Sequence, residues 1–206
     1  MHVDNTCRIG VLLAAGRGGR MGGTKQLTLW RSADGPKPLI CAAYDAIRSI
    51  CDEMIVVLGH EAEAVAAALG NRQFHLAASS ADRPMFESIR AGLRAARELD
   101  ATAVVVLQPG DHPEVARSTL DALTAAALAY PAVAIIPEHN GRGGHPALIP
   151  PAIAGQTFVT DCPNGLGQFW QDHPELCRRI TVNDPTMLID IDTRADLDYK
   201  PTPPAC

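Results

Sequence analysis

LAAGRGGRMGGTK, residues 13–25, is the stretch that decides the fold of this 206-residue chain. An apolar run, residues 9–15, leads directly into a loop that holds five glycines, two arginines and a lysine. Because glycine has no Cβ, such a loop lets its backbone N–H groups approach a ligand closely. Arg20 and Lys25 lie among these N–H groups, and the combination suits a triphosphate. The alternative is a mobile surface loop, which the apolar strand before it and the cations within it disfavour.

Two better-known phosphate loops do not fit this stretch. The dinucleotide fingerprint needs a third glycine at the position that Met21 occupies. The P-loop needs glycine, lysine and a hydroxyl residue in direct succession, whereas Thr24 separates Gly23 from Lys25. The stretch therefore matches neither of these two loops.

The composition excludes several classes of protein. A formal net charge of −5 disfavours nucleic acids and membrane surfaces as partners, because both need a basic face. No apolar run approaches the roughly 20 residues of a transmembrane helix, and residues 1–8 contain no signal-peptide core, so we expect a cytoplasmic protein. The six cysteines are scattered without a C-x-x-C pair, which disfavours a zinc site and a disulfide framework.

Apolar runs alternate with helical patterns along most of the chain, which predicts a doubly wound, mostly parallel sheet in a three-layer α/β/α sandwich. The predicted strands are residues 8–14, 53–58, 74–78, 101–107, 132–137 and 178–182, and the predicted helices are residues 38–50, 61–69, 86–99 and 113–129. Residues 138–176 are rich in glycine, proline and histidine and indicate a functional excursion rather than a second domain. We expect one domain over residues 1–199 and a disordered tail over residues 200–206.

Asp111 follows the most hydrophobic predicted strand, in the sequence QPGDHP of residues 108–113. In such a sheet, ligands bind beyond the carboxyl ends of the strands, where the glycine-rich loop also lies. A carboxylate facing a triphosphate there suits Mg²⁺, which proteins hold with one or two carboxylates plus substrate phosphates. The alternative is that Asp111 caps the helix predicted to begin near Pro113.

Residues 13–25 resemble the signature L-A-A-G-x-G-x-R-M-G-x-x-K of the nucleotidyltransferase superfamily at every fixed position. Within it, the chain is most similar to the MobA-like molybdenum-cofactor nucleotidyltransferases, especially the cytidylyl branch. The resemblance implies a Rossmann-like variant of the nucleotide-diphospho-sugar transferase type. It also implies Arg20, Lys25 and Asp111 as catalytic residues. The residues it implies for nucleotide binding are Leu13, Ala14, Ala15, Gly16, Gly18, Arg20, Lys25 and Ser88.

Ser88 begins an S-x-x-x-G-L element that resembles the family's own, in which the serine lies against the base. A neutral hydroxyl can donate to or accept from a base edge without the cost of burying a charge. The alternative is an ordinary small residue in a first helical turn. Asp82, shortly before it, is either a loop cap or a second acid in the site.

Two further segments indicate the acceptor side of the site. Residues 141–148 resemble the G-x-x-G-H-P-x-L segment of the cytidylyl branch, which implies that His145 binds the acceptor unless it is a structural histidine. Residues 190–197 resemble the family's closing D-I-D-T-P-E-D-L, with Arg194 and Ala195 in place of Pro-Glu. Period-two spacing places Asp190 and Asp192 on one face. We expect Asp192 to join Asp111 on the metal and Asp190 to contact the acceptor, unless this segment only caps the last helix.

One segment departs from the pattern of the cytidylyl branch. That branch carries G-D-x-G-A-R after its G-H-P loop, but residues 160–166 here read TDCPNGL, in which only Asp161 could correspond. The resemblance therefore identifies the acceptor side of the site less fully than the nucleotide side.

The resemblance implies a Mg²⁺-dependent enzyme that joins an NTP to a phosphorylated acceptor, by implication the molybdopterin cofactor, and releases pyrophosphate. Ala15 stands where the guanylyl branch has glycine, so the cleft should favour CTP over GTP. Alternatives are transfer to a sugar 1-phosphate or an alcohol phosphate, and a non-catalytic nucleotide-binding accessory protein. A molybdoenzyme client is a further expected partner.

Overall fold

Within the part of the chain that the structure describes, eight strands form one sheet and two form a separate hairpin. The structure is a computed structural model that describes residues 6–18, 21, 23–32, 34–82, 84–158, 160, 162 and 165–198. The sheet strands are β1 (Arg8–Ala14), β4 (Glu53–Leu58), β5 (His75–Ala78), β6 (Val104–Pro109), β7 (Ala134–His139), β8 (Arg142–Gly143), β9 (Ala147–Ile149) and β10 (Cys177–Thr181). The hairpin pairs β2 (Leu29–Ser32) with β3 (Gly35–Pro38).

The strand order is β10-β7-β9-β6-β1-β4-β5, with β8 on β7. Strand β1 pairs in parallel with β4 and β6, so the carboxyl ends of these three strands meet at one edge. Strand β9 runs antiparallel between β6 and β7. The prediction of a mostly parallel sheet is therefore confirmed, and the short strands β8 and β9 are the antiparallel exceptions within it.

Helices cover both faces of this sheet. They are α1 (Leu39–Arg48), α2 (Ala62–Ala68), α3 (Met85–Leu99), α4 (Arg117–Ala129), α5 (Pro151–Thr157) and α6 (Leu166–Asp172). One buried cluster joins Ile9 and Val11 to α3, α5 and α6. A second joins Leu12 and Ala14 to α1, α2 and α4. Strand β1 is thus buried on both faces, which explains its unbroken apolar sequence and confirms the three-layer sandwich.

A third, smaller cluster lies beside the carboxyl edge of the sheet. It joins Met21 of the glycine-rich loop, Trp30 of the hairpin and Leu39 of α1 to Ile189 and Ile191 near the end of the described chain. This cluster brings the loop and the closing segment to the same place, although more than 160 residues of sequence separate them.

The predicted strands and helices are present, with ends that move by a few residues, but the sequence pattern missed several elements. It missed the β2–β3 hairpin, the short antiparallel β9, and helices α5 and α6 within residues 138–176. Residues 199–206, and with them the predicted tail, lie outside the described residues. None of the helices in the described ranges combines the length and the apolar character that crossing a membrane requires.

Candidate active site

The glycine-rich loop is held in place by the residues that follow it. The Gln26 side chain donates to the carbonyls of Ala14 at 3.2 Å and Gly16 at 3.0 Å. Gly18 has a φ of +61°, and a Cβ there would lie 2.5 Å from the Cβ of Lys25 and 2.8 Å from its backbone nitrogen. The loop therefore folds directly against Lys25, and only glycine fits at position 18 without strain.

Lys25 lies at the centre of a cluster of three carboxylates. Its Nζ is 2.8 Å from Asp111, 2.6 Å from Asp192 and 3.5 Å from Asp190. Burial opposes the charge on this ammonium, but the nearby carboxylates outweigh that effect and raise the pKa of Lys25 above its ordinary value. Lys25 is therefore a buried lysine that keeps its charge, beneath a loop suited to phosphates.

The closing segment reaches Lys25 because its side chains alternate. Ile189 and Ile191 are buried in the third cluster, which places Asp190 and Asp192 on the opposite face, as the period-two spacing predicts. The Ile191 amide donates to the Asp111 carbonyl at 3.1 Å, which ties this segment to the end of β6. The Asp196 carboxylate accepts from the amide of Asp192 at 3.0 Å and holds the turn that follows. The carboxylate of Asp192 itself contacts Lys25 rather than capping a helix.

Asp111 does not cap a helix. Helix α4 begins at Arg117, its N-cap position is Ala116, and no side chain caps it. Ligand atoms of Asp111, His112 and Asp190 instead lie within 4.8 Å of one another, close enough to hold a metal ion. Partial burial and the neighbouring charge of Asp111 raise the pKa of Asp190. Three carboxylates against one ammonium leave the cluster negative, and its hard oxygen donors fit a divalent cation.

The resemblance implies Asp192 as the second metal ligand beside Asp111. In the structure, the side chains that lie close enough to Asp111 to share a metal ion are those of His112 and Asp190. The Asp192 carboxylate instead pairs with Lys25. His112 was missed altogether. The only signal for it was its position directly after Asp111, and a lone histidine at such a position is usually structural.

A cavity of about 290 Å³ opens between the glycine-rich loop and the start of α3. Its lining includes six of the eight residues predicted to bind nucleotide: Leu13, Ala15, Gly16, Gly18, Lys25 and Ser88. It also includes Asp111 and Asp192, which were predicted to hold the metal, together with Gln26, Ser80, Ala81, Met85, Pro109 and Gly110. Ala14 does not line it, because its side chain packs in the second buried cluster. Arg20 lies outside the described residues.

The two ends of this cavity differ chemically. One end carries Lys25, Asp111 and Asp192 and is strongly polar. The other carries the buried hydroxyl of Ser88 and the side chain of Met85, which is 64% exposed. Asp82 pairs with Arg17 at 2.6 Å on the exposed surface and does not join the acids. The cavity thus has one end suited to phosphates and one suited to a nucleobase.

His145 lies behind the carboxylate cluster rather than on the cavity wall. Its ring packs edge-on against His112 with centroids 4.9 Å apart, and its Nδ1 is buried without a hydrogen-bond partner among the described residues. Burial, and the neighbouring His112, lower the pKa of His145 to about 3, while the backbone of Leu107 acts in the opposite direction. His145 is therefore neutral at physiological pH, and acceptor binding by it stays a prediction.

A second cavity, of about 640 Å³, also borders the closing segment. Asp190 lines it, whereas Asp192 lines the first cavity, so the closing segment contributes to both. The other lining residues are His139, Asn140, Arg142, Pro185, Leu188, Ile189, Ala195, Asp196 and Asp198.

Comparison with known proteins finds similar sequences and similar solved structures. A molybdenum cofactor guanylyltransferase from Ectopseudomonas mendocina (strain ymp) is 32% identical over 136 residues, which are 64% of this chain and 61% of that protein. The chain therefore matches less than two thirds of that relative's length. The crystal structure of Rv0371c from Mycobacterium tuberculosis H37Rv has a TM-score of 0.78 at 26% identity, covering 94% of this chain and 96% of that one.

A structure of the same mycobacterial protein in complex with manganese has a TM-score of 0.72 at 25% identity and covers 93% of this chain and 96% of that one. Residues 10–175 match the family model described as the MobA-like NTP transferase domain, which confirms the resemblance drawn from residues 13–25. This chain belongs to the MobA-like NTP transferase family.

Proposed function

We propose that this chain transfers a nucleotidyl group from an NTP to a phosphorylated acceptor and releases pyrophosphate. The observation that carries the proposal is the charged Lys25, held by three carboxylates beneath the glycine-rich loop and at the polar end of a cavity. A protein that only bound nucleotide would not need this acidic cluster, because carboxylates repel a triphosphate. This argues against the non-catalytic accessory protein.

The chain's own groups act mainly by positioning and by charge. An acceptor phosphate is already ionised near neutral pH, so its oxygen can attack the α-phosphorus without a general base. Lys25, with Arg20 as predicted from the motif, neutralises charge that develops on the α-phosphate and the leaving pyrophosphate. Backbone N–H groups near Gly16 and Gly18 hold the phosphates in line for attack.

Mg²⁺ is the metal we propose for the acidic cluster. Asp111 and Asp190 would hold the ion, and the side chains of His112 and Asp192 would lie next to it. When bound, the ion supplies positive charge to phosphate oxygens, which the carboxylates alone would repel.

We place the acceptor in the second cavity. In-line attack requires the acceptor to approach the α-phosphorus from the side opposite pyrophosphate. Asp190 lines the second cavity and lies 3.5 Å from Lys25, which lines the first. The polar side chains of His139, Asn140 and Arg142 suit a heterocycle with a phosphate. The molybdopterin cofactor is the acceptor we propose, with a molybdoenzyme as the partner that receives the product.

CTP is the nucleotide we propose, with GTP as the second candidate. The Ala15 side chain lines the cavity and is buried, so its methyl group narrows the space for a base. The observation that favours GTP is the similarity to the molybdenum cofactor guanylyltransferase from Ectopseudomonas mendocina. Discrimination by a single methyl group is worth about 10–200-fold, so both nucleotides are expected to react at different rates.

Pyrophosphate release tests the proposal. The full chain is incubated with Mg²⁺, each NTP in turn, and molybdopterin cofactor, a sugar 1-phosphate or an alcohol phosphate. Release that requires both an NTP and molybdopterin cofactor, with CTP fastest, supports it. Faster reaction with GTP would change the base assignment alone, and release with only a sugar or alcohol phosphate would change the acceptor. No release with any pair would contradict the proposed function.

A further inference from the structure

The hydroxyl of Ser88 has a partner that does not itself line the nucleotide cavity. Ser88 lies in the first turn of α3 and is 6% exposed, and its Oγ is 2.9 Å from the Oγ of Ser79. Ser79 lies immediately after β5, where its amide donates to the Leu58 carbonyl at 2.8 Å. A Cβ on Gly59 would lie 2.6 Å from the Ser79 carbonyl oxygen, so the backbone at Ser79 is closely packed on that side. Ser79 therefore has a fixed position.

The hydroxyl of a helical serine can also donate a hydrogen bond to the backbone carbonyl four residues earlier in the chain. For Ser88 this is the carbonyl of Pro84, and the Oγ would then turn away from the cavity. The hydrogen bond to Ser79 competes with this arrangement. Since two paired hydroxyls use only one of their two hydrogens on each other, the pair keeps one hydrogen and several lone pairs for a ligand.

We propose that Ser79 is a positioning residue that directs the Ser88 hydroxyl at the nucleobase and leaves the hydroxyl pair able both to donate to and to accept from the base edge. This inference rests on the proposed function, because it assigns the Ser88 end of the cavity to the base. Cytosine and guanine both present donors and acceptors on their edges, so the Ser79–Ser88 hydroxyl pair contributes to binding of either base. The Ala15 methyl group then discriminates between the two bases by their size.

Binding of ligands with and without a base tests this directly. Dissociation constants for CTP, for GTP and for inorganic tripolyphosphate are measured with Mg²⁺ for wild type, Ser79→Ala, Ser88→Ala and the double variant. Ser79→Thr keeps the hydroxyl and serves as the rescue. Ser32→Ala is the matched control, because the Ser32 hydroxyl also makes a hydrogen bond, to the Gly35 carbonyl at 2.7 Å, but in the hairpin. Melting temperatures are recorded for every variant.

Ser79→Ala should weaken binding of the preferred NTP by about twofold to tenfold, the range for one lost hydrogen bond, while tripolyphosphate binds as in wild type. Ser79→Thr should restore binding. Because Ser79 acts through Ser88, Ser79→Ala should add little to Ser88→Ala in the double variant.

Additive losses in the double variant, an equal loss of tripolyphosphate binding, or wild-type NTP binding by Ser79→Ala would each overturn the positioning role. These outcomes leave the proposed function intact as long as wild type binds an NTP and releases pyrophosphate. A wild-type protein that binds no NTP overturns both, and the wild-type titration therefore separates the two failures.

Discussion

Lys25, which lines the first cavity, and His145, which packs against His112, are both largely enclosed basic side chains, yet they carry different charges. Three carboxylates surround Lys25 and keep it protonated despite its burial. His145 faces another imidazole and lacks a partner for its Nδ1 among the described residues, so burial leaves it neutral. Burial alone therefore does not fix the charge of a basic group, because the neighbouring charges decide whether the cost of burial is outweighed. Carboxylates outweigh it at Lys25, and nothing outweighs it at His145.

The largest effect should come from removing the carboxylate of Asp111, which contacts Lys25 and lies in the group that could hold a metal ion. Asp111→Asn keeps the shape of the side chain but removes a charge that a hard cation requires, so Mg²⁺-dependent turnover should fall by at least about a hundredfold. Thermal unfolding should stay cooperative. The check is pyrophosphate release across a Mg²⁺ titration, with Asp121→Asn on the exposed face of α4 as control. A variant with unchanged Mg²⁺ dependence would show that Asp111 does not hold the metal.

The next effect tests whether the glycine-rich loop must fold against Lys25. Gly18→Ala adds a methyl group 2.5 Å from the Lys25 Cβ at a positive φ, and should destabilise the protein by about 1–3 kcal/mol and reduce NTP binding. Gly16→Ala is the matched control for stability, because its Cβ would meet nothing within 4 Å. Chemical denaturation measures the free energy of unfolding of both variants. Equal stabilities would show that the loop is not held as described.

A smaller effect concerns base choice at the same end of the cavity. Ala15→Gly removes the methyl group that narrows the cleft, so turnover with GTP should rise by about tenfold while turnover with CTP falls less. Both nucleotides are compared in direct competition. An unchanged ratio of GTP turnover to CTP turnover would show that Ala15 does not select the base. A wild-type preference for GTP would overturn the assignment to CTP.

The smallest effect concerns stability and pH. Burial and the charge of Asp111 raise the pKa of Asp190, so the native state holds this proton more tightly than the unfolded state. The ionised form therefore destabilises the fold at neutral pH, and this cost disappears as pH falls below the ordinary value of 3.8. Asp190→Asn should raise the metal-free stability at pH 7 by less than about 1 kcal/mol, since the side chain is 48% exposed. The gain should vanish near pH 3. A gain that grew as pH fell would contradict this explanation.

The sequence predicted best what lies close together along the chain. Strands β1 and β4 were predicted with both ends correct, because each is a continuous apolar run, and the link from the glycine-rich loop to Lys25 lies within one motif. Strand β9 has only three residues, too few for periodicity to reveal, and it enters the sheet against the direction of its neighbours.

The arrangement of the acids was harder to predict for a related reason. Spacing alone places Asp190 and Asp192 on one face, but which of them lies nearer to Asp111 depends on the hydrogen bond from Ile191 to Asp111 and on packing in the third cluster. His112 and Ser79 could not be found from the sequence, because the contact that singles each of them out is tertiary. His112 lies close to Asp190, and the Ser79 hydroxyl pairs with that of Ser88.

Pyrophosphate release by Lys25→Ala compared with Lys37→Ala tests the central claim most directly, namely that the charge on Lys25 serves nucleotidyl transfer. Lys37 is the matched control because it too pairs with a carboxylate, Asp45 at 3.0 Å, but lies on β3 and does not line the nucleotide cavity. Lys25→Ala should lose about 10²–10³-fold in turnover while it still unfolds cooperatively, and Lys37→Ala should keep wild-type turnover. A folded Lys25→Ala variant as active as Lys37→Ala would contradict the account.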